Sequence, residues 1–170
     1  MTEPPVWLLD VDGVINGHPR RCGWDSPPKR IKPGFPVYFA PELADHIRAV
    51  HTSGLAEVRW CTTWCGYPFE LAQLSAMLDL PFKPAFGDRP AHLTWADMKL
   101  AAAVEVLKSG RRLIWADDEE ADVAPQFSAT VADAEQEGRA LLIAPESERG
   151  LRPEDLDRTE KFAAEARLAT

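Results

Sequence analysis

Asp10 and Asp12 stand one residue apart, followed at once by Gly13, where the apolar run 6–11 ends. A buried strand does not end in two carboxylates without a reason, because an unpaired buried charge is very costly. A second pair of acids, Asp117 and Asp118, closes another apolar run, RLIWA at 112–116. Neighbouring carboxylates repel, so acid pairs at two strand ends call for a cation. Magnesium, a hard ion that takes oxygen ligands, makes sense of both. Between the pairs lie a hydroxyl at a third strand end, Thr62 or its neighbour Thr63, and Lys99 near the start of a helix. Phosphoryl transfer needs such parts: an oxygen nucleophile, an acid for the leaving group, and positive charge around the transferring oxygens.

The elements that must position these residues follow from periodicity. The run 6–11 suits a strand buried on both faces of a parallel sheet. Gly13 permits a sharp departure from it. Further strands are expected at 57–62, 112–116 and 140–144, with a short extended piece between Pro81 and Pro84. Helices are expected at 41–51, 69–80, 96–107, 125–137 and 153–168, with Pro41 in a first turn and Gly54, Gly110 and Gly138 as stops. Residues 1–5 read as a frayed leader. The segment 13–41 is rich in Pro, Gly and basic residues, and its prolines exclude a continuous helix. Extended pieces at 20–22 and 37–39 could form a hairpin or flap there. Strands alternating with helices predict an α/β fold: a parallel sheet of about five strands with helices on both faces. One domain over 1–170 is expected, with no repeat and no linker.

The acid pair DVDG, the threonine, the lysine and the second acid pair, in that order and at those element ends, resemble the four motifs of the haloacid dehalogenase (HAD) superfamily. The resemblance covers about 6–144. It implies a three-layer Rossmann-like α/β/α fold and a magnesium-dependent phosphatase that works through an aspartyl-phosphate. By the resemblance, Asp10 is the nucleophile and Asp12 the general acid that later activates water. Thr62 is the phosphate-binding hydroxyl, with Thr63 the alternative, and Lys99 is the phosphate-binding lysine. Magnesium would be held by the Asp10 carboxylate, the Asp12 backbone carbonyl and Asp118, assisted by Asp117. The relative weight of Asp117 and Asp118 stays open. Family members that lack the second acid tend to be dehalogenases or ATPases, so Asp12 implies phosphatase or phosphotransferase activity. The gaps from Asp12 to Thr62 and from Thr62 to Lys99 leave no room for the family's full cap domain. An open site is therefore implied, with a flap at about 14–40, and uncapped relatives typically act on macromolecules.

That flap carries Arg20, Arg21, Lys29, Arg30 and Lys32, with Trp24 alongside. Basic side chains interleaved with an aromatic suit a phosphate backbone and a stacked base. Trp64, just past the second motif, is a further stacking candidate. The WCTTW and DMK segments with the basic flap look most like the HAD domain of bacterial Swiss army knife RNA-repair proteins, which adds RNA or DNA end phosphates as candidate substrates. Phosphoproteins and small phosphomonoesters are alternatives, as is a non-catalytic module that grips RNA ends on the same fold. Trp24 and Trp64 serve equally well as packing, whereas Trp7, Trp60 and Trp115 lie on expected strands and belong to the core. Cys61 and Cys65 straddle a strand end in poor geometry for zinc.

A chain of 170 residues with 45% hydrophobic and 27% charged residues fits one soluble globular domain. Its net charge of −8 argues against binding nucleic acid by bulk electrostatics. No apolar run is long enough to cross a membrane, and no secretory leader is visible. Three cysteines without framework spacing favour the reducing cytoplasm.

Overall fold

The structure, a computed structural model, describes residues 3–168. The chain runs from β1 (Val6–Leu9) into an antiparallel hairpin of β2 (Lys29–Ile31) and β3 (Val37–Phe39). Then follow α1 (Pro41–Thr52), β4 (Glu57–Trp60), a 3-10 turn (Thr63–Gly66), α2 (Pro68–Leu78) and β5 (Lys83–Pro84). The second half holds α3 (Trp95–Lys108), β6 (Leu113–Ala116), α4 (Ala124–Phe127), α5 (Ala129–Gln136), β7 (Ala140–Ile143) and α6 (Pro153–Leu168). The main sheet is ordered β5-β4-β1-β6-β7 and parallel throughout.

β1 is central and buried along its whole length. Successive side chains point to opposite faces, so Trp7 and Leu9 enter one core and Val6 and Leu8 the other. The first core gathers Leu43, Ile47 and Val50 of α1, Leu71, Leu74 and Leu78 of α2, and Leu156 and Ala163 of α6. The second gathers Ala103, Val106 and Leu107 of α3 with Val131 and Ala134 of α5. Helices thus cover both faces, a three-layer arrangement compatible with a Rossmann-like fold.

Besides β1 and β4, which stop two residues short of the expected 6–11 and 57–62, the expected elements differ from those observed in four places. The piece around 20–22 is a turn rather than a strand. Lys29–Ile31 pairs with Val37–Phe39 instead, after Pro27 and Pro28 extend the chain. The single helix expected at 125–137 is broken at Ser128, whose extended backbone and side-chain bond from the Val131 amide start α5 afresh. The second helix ends at Leu78, where Asp79 takes a left-handed conformation. Of the expected leader, Met1 and Thr2 lie outside the described residues, but Pro4 and Pro5 are anchored. Arg111 donates to the Pro4 carbonyl from Nε at 3.0 Å, and the Glu57 amide donates to the Pro5 carbonyl at 2.9 Å.

Among the described residues, no helix is long and apolar enough to cross a membrane.

Candidate active site

The carboxyl ends of β1, β4 and β6 lie side by side, and the polar residues that stop these strands meet there. The ladder continues one residue past β1, as the Asp10 amide donates to the Ala116 carbonyl at 3.0 Å. The chain then turns tightly: the amides of Ile15 and Asn16 both donate to the Val11 carbonyl, at 2.9 and 2.8 Å. The Leu151 amide fixes the turn from behind by donating to the Val14 carbonyl at 2.8 Å. Asp10 is thereby left buried and Asp12 exposed on the same short loop.

Lys99 reaches the cluster from α3. A capping box starts this helix: the Asp97 amide donates to Thr94 Oγ1 while the Asp97 carboxylate accepts from the Thr94 amide. Lys99 Nζ donates to Asp10 Oδ2 at 2.6 Å and to Asp117 Oδ2 at 2.8 Å. All three residues are buried. Asp117 Oδ1 accepts from the amides of Glu119 and Glu120 at 3.1 and 2.9 Å, which fixes the loop after β6. One oxygen from each of Asp10, Asp117 and Asp118 lies within 4.8 Å of the others, so this trio could hold a metal ion. Gly13 backs directly onto the Asp118 carboxylate.

The electrostatics follow from three buried charges with a surplus acid. Burial, reinforced by the Asp117 carboxylate, pushes the Asp10 carboxyl up to about 7, against the opposing pull of Lys99 and Thr62. Burial works against the Lys99 ammonium as well, but Asp10 and Asp117 outweigh it and hold Lys99 protonated above the ordinary lysine range. A cation beside the trio would offset the surplus negative charge. Cys61, wholly buried next to Asp10, has its thiol pushed well up by burial and then by Asp10 and Asp117. It is an inert thiol, not a competing nucleophile.

Asp12 turns away from the trio. Its Oδ2 accepts from Trp64 Nε1 at 2.8 Å and its Oδ1 from Asn16 Nδ2 at 2.7 Å. Asn16 in turn accepts the Tyr38 amide on Oδ1 at 2.8 Å, which ties the β2–β3 hairpin to the acid. The Asp12 carboxylate is no part of the acidic trio.

Thr62 and Thr63 occupy different places. Thr62 is buried against Asp10, and its Oγ1 accepts the Trp64 amide at 3.3 Å as the N-cap of the 3-10 turn. Thr63 is half-buried and lines a cleft beside Asp12, together with Phe35, Trp64 and Tyr67.

The flap is only partly available to a substrate. Trp24 Nε1 donates to the Leu151 carbonyl at 2.8 Å and the ring packs on the main core, so it is an anchor. Arg21 is paired with Glu148. Arg20, Lys29, Arg30 and Lys32 are exposed. Trp64 is buried, with its one polar atom spent on Asp12.

Asn16, Phe35 and Tyr67 were not singled out by sequence reasoning. Asn16 had a usable signal, since it lies four residues after Asp12 in a turn that a glycine begins. Phe35 and Tyr67 gave none, because only tertiary packing brings a hairpin tip beside a residue that precedes a helix.

No family model matches this chain, and the searches of curated proteins and of solved structures each found no match.

Proposed function

We propose that the protein is a divalent-cation-dependent phosphomonoesterase of HAD type, with Asp10 as nucleophile and Asp12 as general acid–base. The observation that carries this reading is the cluster of Asp10, Lys99, Asp117 and Asp118 at adjoining strand ends, with Asp12 held apart from it by two donors. A cluster built for stability alone would not bury two carboxylates on one ammonium and set a third beside them.

The donor set fits magnesium: three carboxylates, all oxygen, crowded closely enough to share one hard ion. Asp10, Asp118 and Asp117 would hold it, with the Asp12 carbonyl as a further oxygen. When bound, magnesium supplies positive charge for the phosphoryl oxygens and lowers the repulsion between anionic nucleophile and anionic substrate.

The chain's own residues do the rest. A carboxylate oxygen of Asp10 attacks phosphorus, and the bond from phosphorus to the leaving oxygen breaks. The Asp12 carboxyl passes its proton to that oxygen, so an alcohol departs and an aspartyl-phosphate remains on Asp10. Asp12, now a carboxylate, takes a proton from water as the water oxygen attacks phosphorus. The bond to Asp10 breaks, phosphate leaves, and both acids return to their starting forms. Lys99 keeps Asp10 oriented and offers positive charge to the phosphoryl oxygens. The buried Thr62 hydroxyl stands just past the end of β4, where it can donate to one of them.

Trp64 and Asn16 account for the division of labour between two acids one residue apart. They turn Asp12 outward, where the leaving group departs, while Lys99 holds Asp10 inward. The test is phosphate release from a panel of phosphomonoesters, in magnesium and in chelator. We expect turnover that requires the cation and vanishes in Asp10→Asn. Cation-independent turnover, or normal turnover by the variant, would contradict the proposal.

A further inference from the structure

Beside Asp12 lies a cleft of about 330 Å³ lined by Asp12, Phe35, Thr63, Trp64 and Tyr67. Three of these five are aromatic. The Phe35 ring meets Trp64 edge-on at 5.6 Å and 82°, and Tyr67 at 6.1 Å and 77°. Trp64 is buried, but Phe35 and Tyr67 are 50% and 49% exposed. Scattered exposed apolar residues need no explanation, whereas a contiguous aromatic pair at the mouth of a reactive site does.

The rings are also held in place. Phe35 sits at the tip of the β2–β3 hairpin, between Pro36 and Gly34, which has a φ of +78°. A Cβ at Gly34 would come within 2.6 Å of the Glu70 side chain, so the tip is seated on α2. The Tyr67 amide donates to the Trp64 carbonyl at 2.8 Å, and the Tyr67 carbonyl accepts the Leu71 amide at 2.9 Å. A site whose walls are already ordered loses little freedom when a ligand enters.

Resting on the phosphatase reading above, we infer that this cleft is the leaving-group subsite and takes a planar aromatic ring. The leaving oxygen must lie at Asp12 to be protonated, so whatever it carries extends into the space Asp12 shares with Phe35 and Tyr67. Apart from Asp12, the lining offers two hydroxyls, from Thr63 and Tyr67, and no charged side chain. A polyhydroxylated or anionic leaving group finds few partners there, whereas a flat ring gains stacking and edge contacts. An aryl ester and a nucleoside monophosphate share that chemistry, and separate substrates distinguish them.

The test compares kcat/KM between the wild-type chain and Phe35→Ala, Tyr67→Ala and their double variant, in magnesium. The substrates are phenyl phosphate, adenosine monophosphate, ribose 5-phosphate and glycerol phosphate. Comparing variant with wild type on each substrate cancels intrinsic leaving-group reactivity. We expect a loss of about tenfold in the double variant, carried mainly by KM, on at least one ring-bearing substrate. Loss on phenyl phosphate alone assigns the cleft to a directly attached ring, and loss on adenosine monophosphate alone to a base one sugar away. The two aliphatic esters should change less than about twofold. Equal losses on all four substrates, or none on either ring-bearing one, would overturn the subsite.

If the wild-type chain hydrolyses no phosphomonoester, the phosphatase reading has failed separately, and titration calorimetry decides the subsite. Adenosine monophosphate or phenyl phosphate must then bind at least about tenfold more tightly than ribose 5-phosphate, and lose that margin in the double variant. Equal affinities would sink it.

Discussion

A Cβ placed on Gly13 would lie 2.1 Å from Oδ2 of Asp118, so the loop after β1 and the loop after β6 touch where only a hydrogen fits. Gly13 also has a φ of +70°, a conformation that a side chain strains. Gly13→Ala should therefore push Asp118 out of the acidic trio and add backbone strain of about 1–3 kcal/mol. Calorimetric titration with magnesium should show binding lost or weakened at least about tenfold. Unchanged affinity would remove Asp118 from the cation's ligands.

The touching loops lie far apart in sequence, yet their meeting was legible. Each is a buried run ending in acids, and a parallel sheet with right-handed crossovers brings such ends to one edge. The structure brings Asp10, Lys99 and Asp117 together because the two acids follow strands β1 and β6 directly and Lys99 lies near the start of α3. Sequence could not choose between Thr62 and Thr63. The choice of which carbonyl or ring each faces depends on where β4 gives way to the 3-10 turn, a matter of one residue. Sequence left Trp24 open between packing and stacking because its partner, the Leu151 carbonyl, lies 127 positions away. The break at Ser128 was available, since Ser128 caps the Val131 amide, but the alanines that follow at 129, 132 and 134 mask it.

Lys99 donates to two buried carboxylates at once. Lys99→Met removes that charge and leaves Asp10 and Asp117 facing each other across a dry gap. Chemical denaturation in chelator should show a loss of about 3–5 kcal/mol. Magnesium should restore part of it, because a cation in the trio answers the same repulsion. An equal loss with and without magnesium would mean that no cation answers the repulsion that Lys99 relieves.

Trp64 and Asn16 hold Asp12 from opposite sides. Trp64→Phe keeps the aromatic bulk but deletes the indole N–H. An acid matters most when the leaving oxygen is poor, so kcat on alkyl phosphates should fall roughly tenfold while activated aryl esters lose less. A uniform loss on both ester types would make Trp64 a packing residue with no bearing on Asp12.

Glu57 supplies a pH dependence remote from the site. Hydrogen bonds from Arg59 and Arg111 pull its carboxyl down to about 2 from an ordinary 4.5. A depressed folded-state value means that the unfolded chain takes up the proton first. The stabilisation is therefore full above about pH 4.5 and disappears as pH falls towards about 2. The group is partly exposed, so solvent screening limits the gain to about 1 kcal/mol. Paired denaturation curves of wild type and Glu57→Gln should differ at pH 7 and converge across that window. A constant difference down to pH 2.5 would show that the ion pairs contribute nothing.

The most direct measurement concerns covalency at Asp10. The protein is mixed with a rapidly cleaved phosphomonoester in magnesium, quenched in acid during turnover, reduced with borohydride and digested for mass spectrometry. An aspartyl-phosphate is reduced to homoserine, so the account predicts homoserine at position 10, present only when substrate and magnesium were both supplied. Phosphate release with Asp10 left unmodified, or reduction at another carboxylate, would contradict it.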